Sequence, residues 1–428
     1  MFNEDSKTIV GESNINMKPA KLIKPVEFIT LTAFIMLLTA LGIDIILPAF
    51  DEIRASFNLE PDSAVTAQIV TFFFIGQIAR IIFGSLSDRY GRLAILRAGF
   101  ALYIGGSFAA AAAQNINWML AARFVAGMGA GALTVVAVAS VRDRFVGDKM
   151  ARVMSLAQTI FLFVPIIAPS IGAAILSVAP WRVVFLTPAL LAIIVFVWSF
   201  RLDESLPPER RLPLDWSSLS ISARRIVGNR VFVRYTAITV ILFAPFSSYI
   251  GSSERMIGEM YGRPELFTWI FSGIGIVMAI FTFLNAQLVG RFGARRIMQS
   301  LLTVYLITAG VLLVITLASQ GVPNIYLFFA FIALLHGLHV AVGPNSDALA
   351  LESLGSAAGM AAAIGGTAFF AIGPILGSLI DRLLIDTVTP LAVGYLVVGL
   401  ITVTLVYLAR VGVESAVVNA LGSEGDTA

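Results

Sequence analysis

Two groups of charged residues in this sequence could do chemistry, and both lie in or between long apolar runs. The first is Asp44 with Arg123. Asp44 sits in Gly42-Ile43-Asp44-Ile45-Ile46-Leu47-Pro48-Ala49, six residues before Phe50. At 1.5 Å per helical residue that is about 9 Å inside the outer end of its helix. An ionised carboxylate at that depth must face the bundle interior or water, and it is costly enough to imply use. Loss of water favours its neutral form, whereas an aqueous opening or a nearby cation favours the charged form. A carboxyl whose surroundings alternate is a natural proton carrier; the alternative is a static carboxylate tied to a neighbouring helix. Arg123 lies about five residues inside a run that begins at Trp118 on the same side, roughly 7–8 Å deep by the same rise. Their similar depth allows the two to be neighbours. Either Arg123 competes with the proton on Asp44, or it caps backbone carbonyls near Pro48.

The second group is Gly84-Ser85-Leu86-Ser87-Asp88-Arg89-Tyr90-Gly91-Arg92. It is a charged corner between two apolar runs at roughly 66–86 and 94–113, each long enough to cross a bilayer. Asp88 can accept bonds from the positive end of a facing helix; the run that begins near Ser356 is on the same side. Gly84, Asp88, Arg89, Gly91 and Arg92 thus read as a gate, with Arg142-Asp143-Arg144 able to join its ion pairs. A topology signal alone would explain the arginines but not the glycines or Asp88. The pattern returns in Ala286-Gln287-Leu288-Val289-Gly290-Arg291-Phe292-Gly293-Ala294, at an offset of 202. A second repeat, Ala168-Pro169-Ser170-Ile171-Gly172-Ala173 against Gly373-Pro374-Ile375-Leu376-Gly377-Ser378, has an offset of 205. Paired repeats of this kind suggest a transporter built from two homologous halves. In both copies of the second repeat, proline opens a helix backbone and small residues let a neighbour approach.

The elements that position these residues follow from composition. The chain has 428 residues, 58% hydrophobic and 13% charged, with a mean hydropathy of +0.90. Soluble domains carry about 25% charge, so the solvent here is lipid. Apolar runs fall at roughly 28–50, 66–86, 94–113, 118–141, 153–177 and 181–200, then 231–253, 266–289, 297–319, 324–349, 356–380 and 389–409. The spacing predicts six plus six helices, since ten-residue strand alternation is absent. Of the 29 Lys and Arg, 22 fall on the side of the N-terminus, 5 on the opposite side and 2 within spans. That bias places both termini in the cytoplasm of a cell that holds the chain in its inner or plasma membrane. The expected organisation is a cytoplasmic N-terminal segment (1–27), a six-helix bundle (28–200), a cytoplasmic linker (201–230), a second six-helix bundle (231–410) and a cytoplasmic tail (411–428). The linker is rich in proline and charge and ends in a basic stretch at Arg224-Arg225. The first apolar run reads as a retained helix rather than a signal peptide.

Further candidates are individual residues. Arg80 lies about two turns from the inner end of its helix. It either snorkels to the headgroups or meets an anionic substrate group. His336 and His339, with Asp347 further inward, are packing histidines or a proton relay. Glu254 is a cavity carboxylate or a surface residue at the outer end. Met36, Arg80, Gln158, His336 and Asn345 are the candidates for a substrate cavity; Phe-rich segments such as Phe72-Phe73-Phe74 and Phe369-Phe370 are lipid-facing or packing residues, or line that cavity. No cysteine and only two histidines are present, so no metal site is expected and no cofactor beyond the proton. No Ser-His-Asp set, catalytic acid pair or nucleotide loop stands out, and no enzymatic role is expected.

Several of these motifs resemble the major facilitator superfamily, and within it the twelve-span drug:proton antiporters. Gly84-x-Leu86-x-Asp88-Arg89-x-Gly91-Arg92 is similar to the superfamily's loop 2–3 motif. Leu120-x-x-Arg123-x-x-x-Gly127-x-Gly129-x-Gly131 is similar to its fourth-helix motif. Ala168-Pro169-x-x-Gly172 resembles the antiporter motif of helix 5, with Ala168 where glycine is usual. Asp44 in its context resembles the first-helix motif of bicyclomycin- and chloramphenicol-type exporters. Asn345 followed by Gly355-Ser356-Ala357-Ala358-Gly359 resembles that subgroup's loop 10–11. Arg80 stands where glutamine is usual, Met36 where some relatives carry a second carboxylate, and Leu93 where Lys or Arg often follows the motif. The resemblance implies an all-α integral membrane fold of twelve transmembrane helices in two pseudo-symmetric six-helix bundles. It also implies proton-coupled export of small amphipathic compounds or drugs by a monomer that binds no nucleic acid. Proton-coupled uptake is the near alternative, and a transport-inactive receptor or scaffold the distant one.

Overall fold

The computed structural model describes residues 24–60, 63–145, 148–211, 216–352 and 354–425. The described chain is helical throughout, with no strand among those residues. Helices satisfy every backbone polar group within the segment, which lipid requires. Eleven stretches are long and apolar enough to cross a membrane, beginning with Pro25–Ser56, Ala64–Tyr90, Arg92–Ala111 and Ile116–Arg144. Trp181–Ser199, Arg230–Met260, Pro264–Phe292, Ala294–Ala318, Ile325–Leu351, Ala358–Leu383 and Thr389–Tyr407 follow. Helix Asp148–Leu176 supplies the remaining crossing, its described apolar part being Phe163–Leu176. Numbered in chain order, these are spans 1–12. A short helix, Trp216–Val227, lies between spans 6 and 7. The end of the molecule that carries this linker helix is called the linker end below, and the opposite end the far end.

Local sequence explains where helices start. Asn115, Asn229 and Asn324 each turn a side-chain oxygen onto the free N–H groups of the first turn of spans 4, 7 and 10, the usual remedy for unpaired donors. The two repeated corners share a backbone solution. Gly91 (φ 99°) and Gly293 (φ 77°) are each the single residue separating two spans. Only glycine adopts such a conformation without strain.

Span 1 is not one continuous helix. Its α-helical part ends at Asp44, and after Ile45 and Ile46 a short 3-10 turn, Leu47–Ala49, leads into Phe50–Ser56. Pro48 has no N–H for the ladder, so carbonyls around residue 44 are left for other partners. Span 5 packs against this break through Gly172. A Cβ there would fall 2.1 Å from the Ile45 carbonyl oxygen, so nothing larger fits without moving span 1. Ala168, one turn away, is fully buried. Spans 2 and 4 meet as closely, with Gly127 against the Phe73 carbonyl and Gly76 against the Phe124 carbonyl. Small residues at helix contacts are the expected currency of packing in lipid.

At the linker end, residues just after span 6 close over the corner between spans 2 and 3. The Glu204 carboxylate accepts from the backbone N–H of Arg92 (2.9 Å) and Leu93 (3.1 Å). It thereby caps span 3 from more than a hundred residues away. A Cβ on Gly91 would lie 2.5 Å from that carboxylate, so strain and collision act together there. We expect Gly91→Ala to lower the apparent melting temperature in detergent well beyond the effect of Gly105→Ala, where a Cβ meets nothing within 4 Å. The backbone strain alone costs roughly 1–3 kcal/mol. Equal melting shifts for the two variants would show that the Glu204-capped corner does not need its left-handed residue.

Candidate functional site

Asp44 lies at the break in span 1 and is 5% exposed. Among the described residues no donor is bonded to its carboxylate and no cation pairs with it. Across the seam between the two halves, Tyr249 of span 7 is close enough to interact electrostatically with it. The Tyr249 hydroxyl is itself buried without a partner.

Arg123 is the nearby cation, and its bonds go elsewhere. Its Nη2 donates to the Gly42 carbonyl (2.7 Å) and its Nε to the Ile69 carbonyl (3.3 Å). The guanidinium also lies 4.3 Å from the centre of the Phe73 ring. Of the two sequence-level readings, the carbonyl-capping one matches this arrangement, at Gly42 rather than beside Pro48. Tyr103 joins it by donating to the Leu38 carbonyl at 2.6 Å. Together Arg123 and Tyr103 brace the backbone just before Asp44 and leave its carboxyl unclaimed.

Sequence and fold comparisons agree on what carries this arrangement. A family model described as Major Facilitator Superfamily matches residues 32–262. The chain belongs to the major facilitator superfamily. A bicyclomycin resistance protein homolog of Haemophilus influenzae is 27% identical over 372 residues, covering 85% of this chain and 91% of the relative. The multidrug resistance protein MdtL of Salmonella typhimurium is 28% identical over 390 residues, covering 85% and 95%. Among solved structures, a D-xylose-proton symporter superposes with a TM-score of 0.74 at 14% identity, covering 89% of this chain and 97% of its own. The xylose transporter XylE from E. coli in its inward open conformation gives 0.69 at 15% identity, covering 88% and 95%. At such identities the structures show the shared fold.

In this major facilitator chain the loop 2–3 motif forms a closed set of ion pairs within the first half. Arg92 donates to Asp88 (2.6 Å), to Ser87 (2.7 Å) and to Asp143 of span 4 (2.9 Å). Asp143 in turn accepts from Ser205 (3.1 Å), and Arg144 donates to the Asp203 carbonyl (2.7 Å). Asp88 therefore does not bond the start of span 11; its partner is Arg92, and its side chain is 39% exposed. The residue that reaches span 11 is Arg142, whose guanidinium lies against Gly359. Arg89 lies against the Tyr90 ring instead.

The second half holds its polar residues inward. His336 shares a 2.6 Å bond with the Tyr395 hydroxyl, inside the bundle rather than in the seam. His339 stacks on Phe246. Asn345 donates to Asn285 of span 8 at 2.8 Å, a pairing that the sequence did not announce. Asp381 near the far end of span 11 is another buried acid, and accepts from Ser248 and Ser252 at 2.5 and 2.6 Å. Its two serine donors set it apart from Asp44. Met36 is buried in the hydrophobic core that the two halves share. The side chain of Gln158 lies outside the described residues.

Glu254 is neither a cavity carboxylate nor a surface one: it lies in the seam at the far end. Arg54, 2% exposed, sits 3.0 Å from both Glu254 and Glu259 of span 7, with Asp51 at 3.7 Å. This cluster ties the two halves together. Ala67 packs beneath it against Gly251. Removing one partner of a buried pair strands the other, at about 3–5 kcal/mol. The natural chain has no cysteine, so Ala67→Cys gives a single thiol reporter. Maleimide labelling of that thiol is expected to speed up tenfold or more when Arg54→Ala is added. An unchanged labelling rate would mean that the cluster does not hold the far end shut.

Proposed function

We propose that this protein exports small amphipathic compounds by alternating access, driven by proton entry, with Asp44 as the protonation site. The observation that carries the reading is a buried carboxyl with no bonded partner among the described residues, at a helix break beside the seam between two halves. Every other acid placed deep in the described spans has a donor or reaches solvent; Asp381 has two serines and Glu254 has Arg54. A carboxyl of this kind holds a proton comfortably while dry and releases it when water or a ligand's positive edge reaches it. Rocking the two halves about the seam would alternate those conditions.

In this scheme the linker end faces the cytoplasm, in line with the 22 Lys and Arg on that side. Protonation of Asp44 from the outer side favours return to the inward-facing state. Substrate binding from the inner side favours proton release. Arg123 and Tyr103 act as positioning residues, bracing span 1 just before its break through the Gly42 and Leu38 carbonyls. Gly172, with Ala168 and Pro169, lets span 5 slide against that break. The Arg92, Asp88 and Asp143 set holds the inner corner of the first half rigid, so that it moves as one body. One elementary charge through 100 mV is worth about 2.3 kcal/mol, enough to bias a two-state equilibrium by some fiftyfold. The bicyclomycin and multidrug resistance names of the relatives support export of drug-like cargo. A single chain contains both halves, so a monomer suffices.

The test is uptake of ethidium into inverted proteoliposomes with an imposed pH gradient. Wild type should concentrate the dye when the lumen is acidic. Asp44→Asn should lose at least nine-tenths of gradient-driven accumulation while keeping dye exchange without a gradient. Gradient-driven accumulation by Asp44→Asn at the wild-type rate would remove Asp44 from the coupling step.

A further inference from the structure

Three buried guanidiniums among the described residues, and the half-buried one of Arg80, can be sorted by what receives them. Arg54 ends on two glutamates, Arg92 on two aspartates and Arg123 on two carbonyls. Arg80 has none of these. It donates through Nη2 to the Gln77 side-chain oxygen, and its guanidinium lies 4.3 Å from the centre of the Phe370 ring. No carboxylate among the described residues pairs with it. Two donors in this small group have no acceptor at all: Arg80 Nε and Gln77 Nε2, both buried.

Position rules out the bland account of a snorkelling arginine. Span 2 runs from the far end to the linker end, and Arg80 is ten residues, or about 15 Å, from the linker end of its helix. Its head turns toward Gln77, one turn farther from that interface. Phe370 is twelve residues into span 11, about 18 Å from the same end. The cation therefore sits near mid-membrane, held in place rather than stretched toward headgroups. Its stem is accommodated by Gly131 of span 4, where a Cβ would lie 3.0 Å from Arg80 Cγ.

The group also lies in the seam. Gln77 and Arg80 belong to the first half, Phe370 to the second. Phe370 stacks with Phe74 at 5.8 Å and stands edge-on to Phe369 at 5.0 Å. Movement of span 11 against span 2 would lift the ring from the guanidinium and leave a fixed positive fork beside aromatic faces. A cation kept inside a membrane without an acid is expensive. An anion arriving there would satisfy the guanidinium and both idle donors.

Building on the exporter reading, we infer that Arg80 and Gln77 form an anion-recognition site and that the cargo includes aryl carboxylates. The carboxylate takes the Arg80 fork and the Gln77 amide, and the flat body stacks among Phe74, Phe369 and Phe370. Arg80 is then the residue that sets charge preference, separate from the proton site at Asp44.

A matched pair of probes tests this: 2-naphthoate and 2-naphthamide, equal in shape and different in charge, titrated calorimetrically into the full chain in nanodiscs. Wild type should bind the carboxylate at least tenfold more tightly than the amide, since hydrogen bonds to a charged group are worth roughly 10- to 100-fold. Arg80→Gln should abolish that preference, and Arg80→Lys should keep part of it, with a monodisperse size-exclusion profile and an unchanged melting temperature confirming that both variants are folded. Equal affinity of wild type for the two probes, binding of neither, or a preference that survives Arg80→Gln would each overturn the assignment. Ethidium export by wild type that binds no naphthoate would leave the exporter reading standing and remove the anion site. Arg80-dependent naphthoate binding without any gradient-driven flux would do the reverse.

Discussion

A charge inside a membrane-spanning helix has no water to fall back on, so each must be satisfied by the protein, by a proton or by cargo. That constraint orders the polar residues of this chain. Arg54, Arg92 and Arg123 are satisfied by the protein, on glutamates, aspartates and carbonyls respectively. Asp381 is satisfied by two serines. Among the described residues Asp44 has no bonded partner and Arg80 has no acid to pair with, and they lie on different spans beside the same seam. Their separation matters. An acid and a base in contact would neutralise each other and bind neither proton nor anion.

The geometry that keeps Asp44 unclaimed is built from backbone. Pro48 interrupts span 1, and Arg123 and Tyr103 then take up carbonyls at Gly42 and Leu38. The same arginine could in principle have paired with the carboxylate itself, because depth in the membrane allows either. Gly172 adds the remaining condition by bringing span 5 onto the Ile45 carbonyl, so three helices converge on one stretch of irregular chain. Irregular backbone in a membrane is tolerated only where protein or a cavity surrounds it, which makes the break at residue 44 a natural place for function.

Much of this was legible before any coordinates. Twelve apolar runs and two repeats at nearly equal offsets pointed to a duplicated helical bundle, and Gly91 and Gly293 share one backbone conformation. Asp44, Arg80, Arg123 and the loop 2–3 motif stood out because charge is rare in apolar runs. What stayed hidden was pairing. Arg54 meets Glu254 across 200 residues, and Glu204 caps span 3 across 112. Neither distance leaves a mark on local periodicity. Asp88 looked toward span 11 when only sides of the membrane were known, yet Arg92 sits one turn away on the next helix and captures it first. His336 and His339 drew notice as titratable groups, but burial against Tyr395 and Phe246 is a matter of helix rotation, which a uniformly apolar span does not encode.

The two ends of the seam differ in kind, and this bears on how the halves move. At the far end the contact between halves is ionic and buried, with Arg54 between two glutamates. In mid-membrane it is aromatic, through Phe74, Phe243 and Phe370. Aromatic faces slide and re-stack with small losses, since offset and edge-on arrangements are close in energy. A buried ion pair cannot slide; it is made or broken, and breaking it strands charge unless water enters at the same moment. A seam with an ionic end and an aromatic middle would therefore favour hinging over shear in the proposed cycle. In the proposed cycle the far end would stay shut until solvent reached Arg54, while the rings around Arg80 would adjust to whatever lay between them.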